Sequence, residues 1–161
     1  LSFSKFLLAW MTQGLWVFMC LFRTLIVFSS PTNNEITYFA FGSLTYLIGL
    51  VIEIIADYQK TIHNKLNNKK HKFISSGLWS KSRHPNYFGE FLIWTGITII
   101  CFPVFSGFKY LALITPIFIY FLLNYISGVN LLEERAKEKW GNNPEYVKYL
   151  KTTPKFFPKI F

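Results

Sequence analysis

A 21-residue apolar run decides the fold class of this sequence: ITYFAFGSLTYLIGLVIEIIA at positions 36–56. A helix needs about 20 mostly apolar residues to cross the hydrocarbon core of a bilayer. Three further stretches, at 6–28, 88–105 and 110–132, meet the same requirement. The sequence therefore predicts an all-α integral membrane bundle of about four transmembrane helices, which together form a single domain.

The overall composition agrees with a membrane protein. Of the 161 residues, 52% are hydrophobic and 20% are aromatic, while only 16% are charged. Soluble globular domains carry about 25% charged residues. Because so few charged residues cannot cover the surface of a globule, a soluble globular domain is excluded, and the low charge also argues against a disordered chain.

The basic residues fall into two groups, which orient the bundle. Seven of the 17 lie at 57–87 and another seven at 133–161. With four spans these segments share one side, and the positive-inside bias makes that side the cytoplasm or the mitochondrial matrix. We expect a basic loop at 57–87 and an amphipathic tail at 133–161, in which one short helix is followed by a turn at 145–149. We also expect contact with membrane lipids and no nucleic-acid partner. The endoplasmic reticulum, the mitochondrial inner membrane and a bacterial inner membrane fit this pattern equally.

The end of the second span carries an ionisable stripe. Glu53, Asp57 and Lys60 are spaced i, i+4 and i+7, so they share one helix face. Ionisable residues in the hydrocarbon zone are functional candidates. An interfacial ion pair explains Glu53 equally well, whereas we interpret Asp57 and Lys60 as functional.

The start of the third span concentrates polar chemistry in the stretch RHPNYFGE at 83–90. Pro85 suits the first turn of a helix, and the free N–H groups there would face the basic side and attract phosphate or carboxylate. Arg83 adds a planar two-pronged donor. The polar residues of this stretch indicate a ligand site rather than a simple interfacial belt: Arg83, His84, Asn86, Tyr87 and Glu90. No Gly-rich nucleotide motif occurs, and the three histidines show no metal-ligand spacing, so no metal site is expected.

Three blocks of sequence resemble those of the steroid 5α-reductase-like membrane family, which is related to the steroid and sterol reductases. They are ADYQK at 56–60, GLWSKSRHPNYFGE at 77–90, and an ending that contains GVNLLE at 128–133, WG at 140–141, EYVKY at 145–149 and TPKFFP at 153–158. The blocks bracket roughly residues 50–158. The Arg-His-Pro-x-Tyr core alone is also shared by isoprenylcysteine and phospholipid methyltransferases.

The resemblance implies a cytoplasm-facing cleft that holds NADPH and a hydride transfer to a carbon–carbon double bond of a steroid-like, sterol-like or other lipid. The positions implied for cofactor binding are Asp57, Lys60, Trp79, Arg83, His84, Asn86, Tyr146 and Tyr149. Among these, Lys60, Arg83 and His84 are expected to hold phosphates. The candidate catalytic residues are Tyr87 as a proton donor or carbonyl contact, Glu90 as an orienting carboxylate, and Glu53.

Two alternatives stay open at this point. The shared core permits a methyltransferase that uses S-adenosylmethionine in the same cleft. A non-catalytic, reductase-like subunit of a larger membrane complex is also compatible, with other membrane subunits as partners. The chain begins at Leu1 rather than Met and is short beside the full-length reductases, which is typical of a processed product, an incomplete chain or a reduced subunit.

Overall fold

The structure is a computed structural model that describes residues 3–28, 35–66, 72–126 and 128–159. Regular structure in these residues is helical throughout, which confirms the all-α prediction. The six α-helices of this part of the chain are α1 (Phe3–Phe28), α2 (Ile36–Leu66), α3 (Pro85–Cys101), α4 (Ile114–Phe121), α5 (Val129–Trp140) and α6 (Pro144–Thr152). Short 3-10 turns cover Gly77–Ser80, Phe102–Val104 and Gly107–Leu113, and a π-helical turn covers Leu122–Ile126.

Three segments are long and apolar enough to cross a bilayer: Ile36–Leu66, Pro85–Val104 and Gly107–Trp140, the last of which includes the undescribed residue 127. The chain is therefore an integral membrane protein. The predicted first span coincides with the 26-residue α1, which is not among the three, so the count of four spans stays a prediction. α2 continues to Leu66, so the beginning of the predicted polar loop is helical.

Close backbone contact joins α2 to α3. A Cβ atom built on Gly49 would lie 2.6 Å from the Gly89 carbonyl oxygen, and one on Gly89 would lie 2.7 Å from the Gly49 carbonyl oxygen. A second pair, Gly42 and Gly96, makes the same close contact further along the two helices. Small residues let membrane helices approach this closely. The contact places the C-terminal end of α2 beside the first turn of α3, where the polar residues are concentrated.

The tail contains more helix than expected. The sequence predicts one short amphipathic helix followed by a turn at 145–149, but the structure has a second helix, α6, over that turn. The cause is local, because the Asn143 side chain accepts a hydrogen bond from the Glu145 N–H at 2.9 Å and Pro144 occupies the first helical position. Both features start helices. Beyond α6, Phe156 returns to the core and packs with Ile119 and Leu123.

Candidate functional site

A cavity of about 220 Å³ lies where the end of α2, the Gly77–Ser80 turn, the start of α3, α5 and α6 converge. Seven of the eight residues predicted to bind a cofactor line it: Lys60, Trp79, Arg83, His84, Asn86, Tyr146 and Tyr149. Asp57 does not line the cavity. Its side chain is exposed and interacts electrostatically with Glu53. The structure thus brings residues from well-separated parts of the sequence to one place.

One wall of the cavity is the Gly77–Ser80 turn, which is locked to the end of α2. The buried Trp79 donates its indole N–H to the Ala56 carbonyl at 3.1 Å, and the Gln59 side-chain oxygen accepts the Leu78 N–H at 3.0 Å. Gly77 has φ of +63°, and a Cβ there would lie 2.5 Å from the Gln59 amide. Glycine is therefore required at this position. These contacts hold the Trp79 ring rigidly against the cavity.

Aromatic rings form a second wall. The Phe73 ring centroid lies 5.1 Å from that of Tyr146, 5.4 Å from Tyr149 and 6.1 Å from Trp140. The Tyr149 hydroxyl donates to the Trp79 carbonyl at 2.6 Å. Burial raises the pKa of both Tyr146 and Tyr149, so both hydroxyls stay protonated at neutral pH. The wall offers ring faces and edges suited to a planar ligand.

A largely buried ionic triad lies at the start of α3. One oxygen of Glu133 on α5 accepts from Arg83 Nη1, and the other bonds to His84 Nε2 at 2.8 Å. Burial lowers the pKa of His84 from its ordinary value, an effect that the Glu133 hydrogen bond and charge oppose and that the charges of Arg83 and Lys155 reinforce. At neutral pH the ring is therefore neutral and donates Nε2–H. Glu133 compensates the Arg83 charge.

The charge of the cavity remains positive. Among the described residues that line it, Glu133 is the one carboxylate, against the three cations Lys60, Lys72 and Arg83. Lys60 Nζ lies 5.7 Å from the Trp79 ring centroid, within cation–π range. Once Arg83 is paired with Glu133, the charge available to an anionic ligand is that of the two lysines.

Two buried polar atoms of the cavity residues lack hydrogen-bond partners. They are Arg83 Nε, a donor, and Asn86 Oδ1, an acceptor. Buried polar atoms in folded proteins are nearly always hydrogen-bonded, and an exception calls for an explanation. A ligand that both donates and accepts hydrogen bonds would satisfy them.

The three predicted catalytic residues, Tyr87, Glu90 and Glu53, do not line the cavity. Tyr87 stacks on His84 with ring centroids 5.9 Å apart. Glu90 accepts a hydrogen bond from Trp94 and interacts electrostatically with Glu53 across the α2–α3 contact. The predicted set is therefore divided into residues that line the cavity and three residues of α2 and α3 that do not, and the stack of Tyr87 on His84 joins the two groups.

Several lining residues were missed by sequence reasoning. Glu133 lies in the GVNLLE block but is not among the predicted site residues, although it binds both Arg83 and His84. Phe73 and Lys72 lie in a segment that reads as a lysine-rich linker, and His63 Nε2 bonds to the Lys72 carbonyl at 3.1 Å. A lone aromatic in that linker was the available signal. Within the described residues, no group of three or more potential metal ligands occurs.

Comparison with known proteins places these features in a family. The probable 7-dehydrocholesterol reductase of Acanthamoeba polyphaga mimivirus is 27% identical over 153 residues. The match covers 83% of this chain but 32% of the relative, so the chain spans about a third of that protein's length. No solved structure matches the chain. The family of proteins of unknown function DUF1295 matches residues 2–153, and the chain therefore belongs to this family, which is the steroid 5α-reductase-like family.

Proposed function

We propose that this chain carries the cofactor site of a membrane reductase that uses NADPH to reduce a carbon–carbon double bond of a sterol-like lipid. The family and the name of the mimiviral relative support a sterol-type reductase. The observation that carries the proposal is the pair of unpaired buried atoms, Arg83 Nε and Asn86 Oδ1, in residues that line a cationic aromatic cavity.

The residues present fit a reduced dinucleotide. Lys60 and Lys72 supply positive charge for phosphates, and the ring faces of Phe73 and Tyr146 suit a planar base or nicotinamide. The unpaired donor and acceptor suit a carboxamide, which has one group of each kind. The volume of about 220 Å³ lies below the roughly 300–1,000 Å³ of drug-sized ligand pockets. The cavity would therefore enclose part of a dinucleotide, with the remainder at its exposed rim.

Charge pairing also distributes the roles. Because Arg83 and His84 are both engaged by Glu133, phosphate binding falls mainly to Lys60 and Lys72. Arg83 then contributes through Nε, which the ion pair leaves unbonded. The neutral His84 ring and its stacking partner Tyr87 separate the cavity from the face that bears Glu90.

When bound, NADPH supplies a hydride to one carbon of the double bond. The other carbon needs a proton, for which we propose Tyr87, because its ring stacks on the His84 ring that lines the cavity and a phenol can act as a general acid. Glu90 and Glu53, on the same side as Tyr87, are proposed to orient the reacting groups. Closely packed apolar rings around Phe88 and Phe91 exclude water from this region.

Cofactor titration of the purified full chain in nanodiscs tests the proposal. A ligand at 100 times its Kd stabilises a protein by about 2.7 kcal/mol, which corresponds to a Tm increase of roughly 5–11 °C for a chain of this size. We expect this increase with NADPH, and its loss in Lys60→Met. Lys65→Met is the matched control, because Lys65 is exposed on the same helix and does not line the cavity.

Other outcomes would overturn the reductase. Stabilisation by S-adenosylmethionine alone would identify a methyltransferase site. Wild-type protein that binds neither cofactor would favour a non-catalytic subunit. Equal NADPH binding by the two lysine variants would show that the cavity is not the NADPH site.

A further inference from the structure

The chain end after α6 runs back along the turn that precedes α3. The Arg83 N–H donates to the Pro154 carbonyl at 2.9 Å, and the Lys159 N–H donates to the Lys81 carbonyl at 3.0 Å. Residues 153–159, here called the C-terminal strap, therefore pair with residues 81–83 through the backbone. The two segments are about 70 residues apart in sequence, so this pairing is a tertiary contact that no local pattern encodes.

Apolar burial fixes the strap in place. Phe156 is only 4% exposed and packs among Phe88, Phe91 and Tyr120 with ring centroids 5.2–6.2 Å apart. Thr153, at the start of the strap, is also buried. An aromatic side chain buried to this extent contributes more to anchoring than a surface hydrogen bond does. The strap is thus held independently of its contacts to residues 81–83.

Ser82 transmits the position of the strap to the cavity residues. Its side chain is fully buried, donates to the Phe156 carbonyl at 2.8 Å and accepts the His84 N–H at 3.2 Å. One hydroxyl therefore links a strap carbonyl to the backbone of His84. The neighbouring Arg83 is held by Pro154, so both donors to Glu133 depend on the strap for their backbone position.

The strap also brings a charge to this region. Lys155 Nζ donates to the Asn130 side-chain oxygen at 2.7 Å, on the first turn of α5. Its charge acts on both His84 and Glu133. The ionic groups that face His84 are thus Glu133 from α5, the adjacent Arg83, and Lys155 from the strap.

We propose that the C-terminal strap positions Arg83 and His84 for ligand binding, with Ser82 and Phe156 as the positioning residues. Neither needs to touch the ligand. The proposal takes the ligand, NADPH, from the proposed function, whereas the dependence of His84 on the strap is a property of the protein alone. The two ideas can therefore be tested separately in one set of variants.

Ser82→Ala is the central variant, and Ser80→Ala is its matched control. The Ser80 hydroxyl donates to the Gly77 carbonyl at 2.7 Å within the same turn and does not reach the strap. In histidine-labelled full chain, we expect Ser82→Ala to move the His84 ring resonance and to bring its pKa closer to the ordinary value. The NADPH Kd should rise roughly three- to tenfold, as expected for one buried hydrogen bond. Ser80→Ala should leave both readouts unchanged.

Substitutions at Phe156 provide an independent measurement. Phe156→Leu keeps an apolar anchor and should retain the His84 signal, whereas Phe156→Ala should shift it as Ser82→Ala does. A His84 resonance that is the same in wild type, Ser82→Ala and Phe156→Ala would overturn the role of the strap, whatever NADPH does. A second outcome is that wild-type protein fails to bind NADPH while Ser82→Ala and Phe156→Ala still shift the His84 resonance. This outcome would overturn the proposed function and leave the positioning role of the strap supported.

Discussion

The ion pair between Arg83 and Glu133 yields a prediction whose size follows from its burial. The two side chains are 16% and 14% exposed, and His84, the second partner of Glu133, is 9% exposed. Removing one member of a buried pair costs about 3–5 kcal/mol, because the other charge is left buried and unpaired. Since some solvent reaches the pair, we expect Glu133→Leu to cost about 3 kcal/mol, at the low end of that range.

A double-mutant cycle tests this reasoning. Arg83→Met combined with Glu133→Leu replaces both charges by apolar groups, and such a replacement is often close to neutral. The coupling free energy should therefore be at least about 2 kcal/mol, well above the 0.3–0.5 kcal/mol error of additivity between distant sites. In thermal unfolding of the nanodisc protein, Glu133→Leu should lower Tm by roughly 6–12 °C, and the second substitution should restore most of the loss.

The same cycle has clear contrary outcomes. Strictly additive losses of unfolding free energy in the two single variants would mean that Arg83 and Glu133 do not stabilise each other. Glu133 would then not compensate the Arg83 charge at this end of the cavity. Glu133→Gln offers a milder check, since its amide oxygen still accepts one hydrogen bond. A Gln variant as unstable as the Leu variant would show that the negative charge, and not a hydrogen-bond acceptor alone, is what the glutamate contributes.

Three further predictions concern packing, pH and the turn that bears Trp79. Gly89→Ala should cost about 1–3 kcal/mol of stability, because its Cβ would lie 2.7 Å from a backbone oxygen of α2. Gly14→Ala is the control and should not destabilise the protein, because a Cβ there meets nothing within 4 Å. Equal unfolding midpoints for the two variants would contradict the close contact. Because the folded-state pKa of His84 is lowered, its contribution to stability is complete above pH 6.5 and falls as the pH decreases, by at most about 1.4 kcal/mol per pH unit. His84→Gln should reduce this dependence of the unfolding free energy on pH. An unchanged dependence between pH 8 and 5.5 would refute the role of His84. Tyr149→Phe removes the 2.6 Å hydrogen bond to the Trp79 carbonyl and should cost about 1 kcal/mol of stability. The Trp fluorescence spectrum should change as well. An unaltered spectrum and unfolding midpoint would argue against a fixed Gly77–Ser80 turn.

The features that could be predicted from the sequence are local ones. Apolar run length alone predicts membrane helices, because the bilayer sets the length that a span requires. The start of a helix at Pro85 also follows from local chemistry, because proline suits the first helical turn, and it is confirmed. The second tail helix could have been predicted in the same way, since Asn143 and Pro144 form an ordinary helix start.

The features that escaped prediction depend on contacts between distant segments. Glu133 meets Arg83 across 50 residues, and no helical periodicity relates two residues on different elements. Phe73 becomes part of the cavity wall because α6 brings Tyr146 and Tyr149 beside it, and this contact cannot be predicted from the segment around Phe73 alone. The strap is a similar case, because its Pro and Phe residues read as an irregular end until Phe156 is found in the core.

The proposed function would place cofactor binding and substrate turnover in different parts of this fold. All the described residues that line the cavity lie between Lys60 and Tyr149, inside the stretch matched to the family. Glu53 and Glu90 lie outside the cavity, within the apolar spans of α2 and α3, where a lipid substrate would have to approach through the membrane. Because no described residue of α1 lines the cavity, substitutions on α1 such as Gly14→Ala should leave NADPH affinity unchanged even where they alter turnover. A titration of NADPH against α1 variants would measure this independence directly, and a correlated loss of binding would show that the cavity and the lipid-facing surface act as one unit.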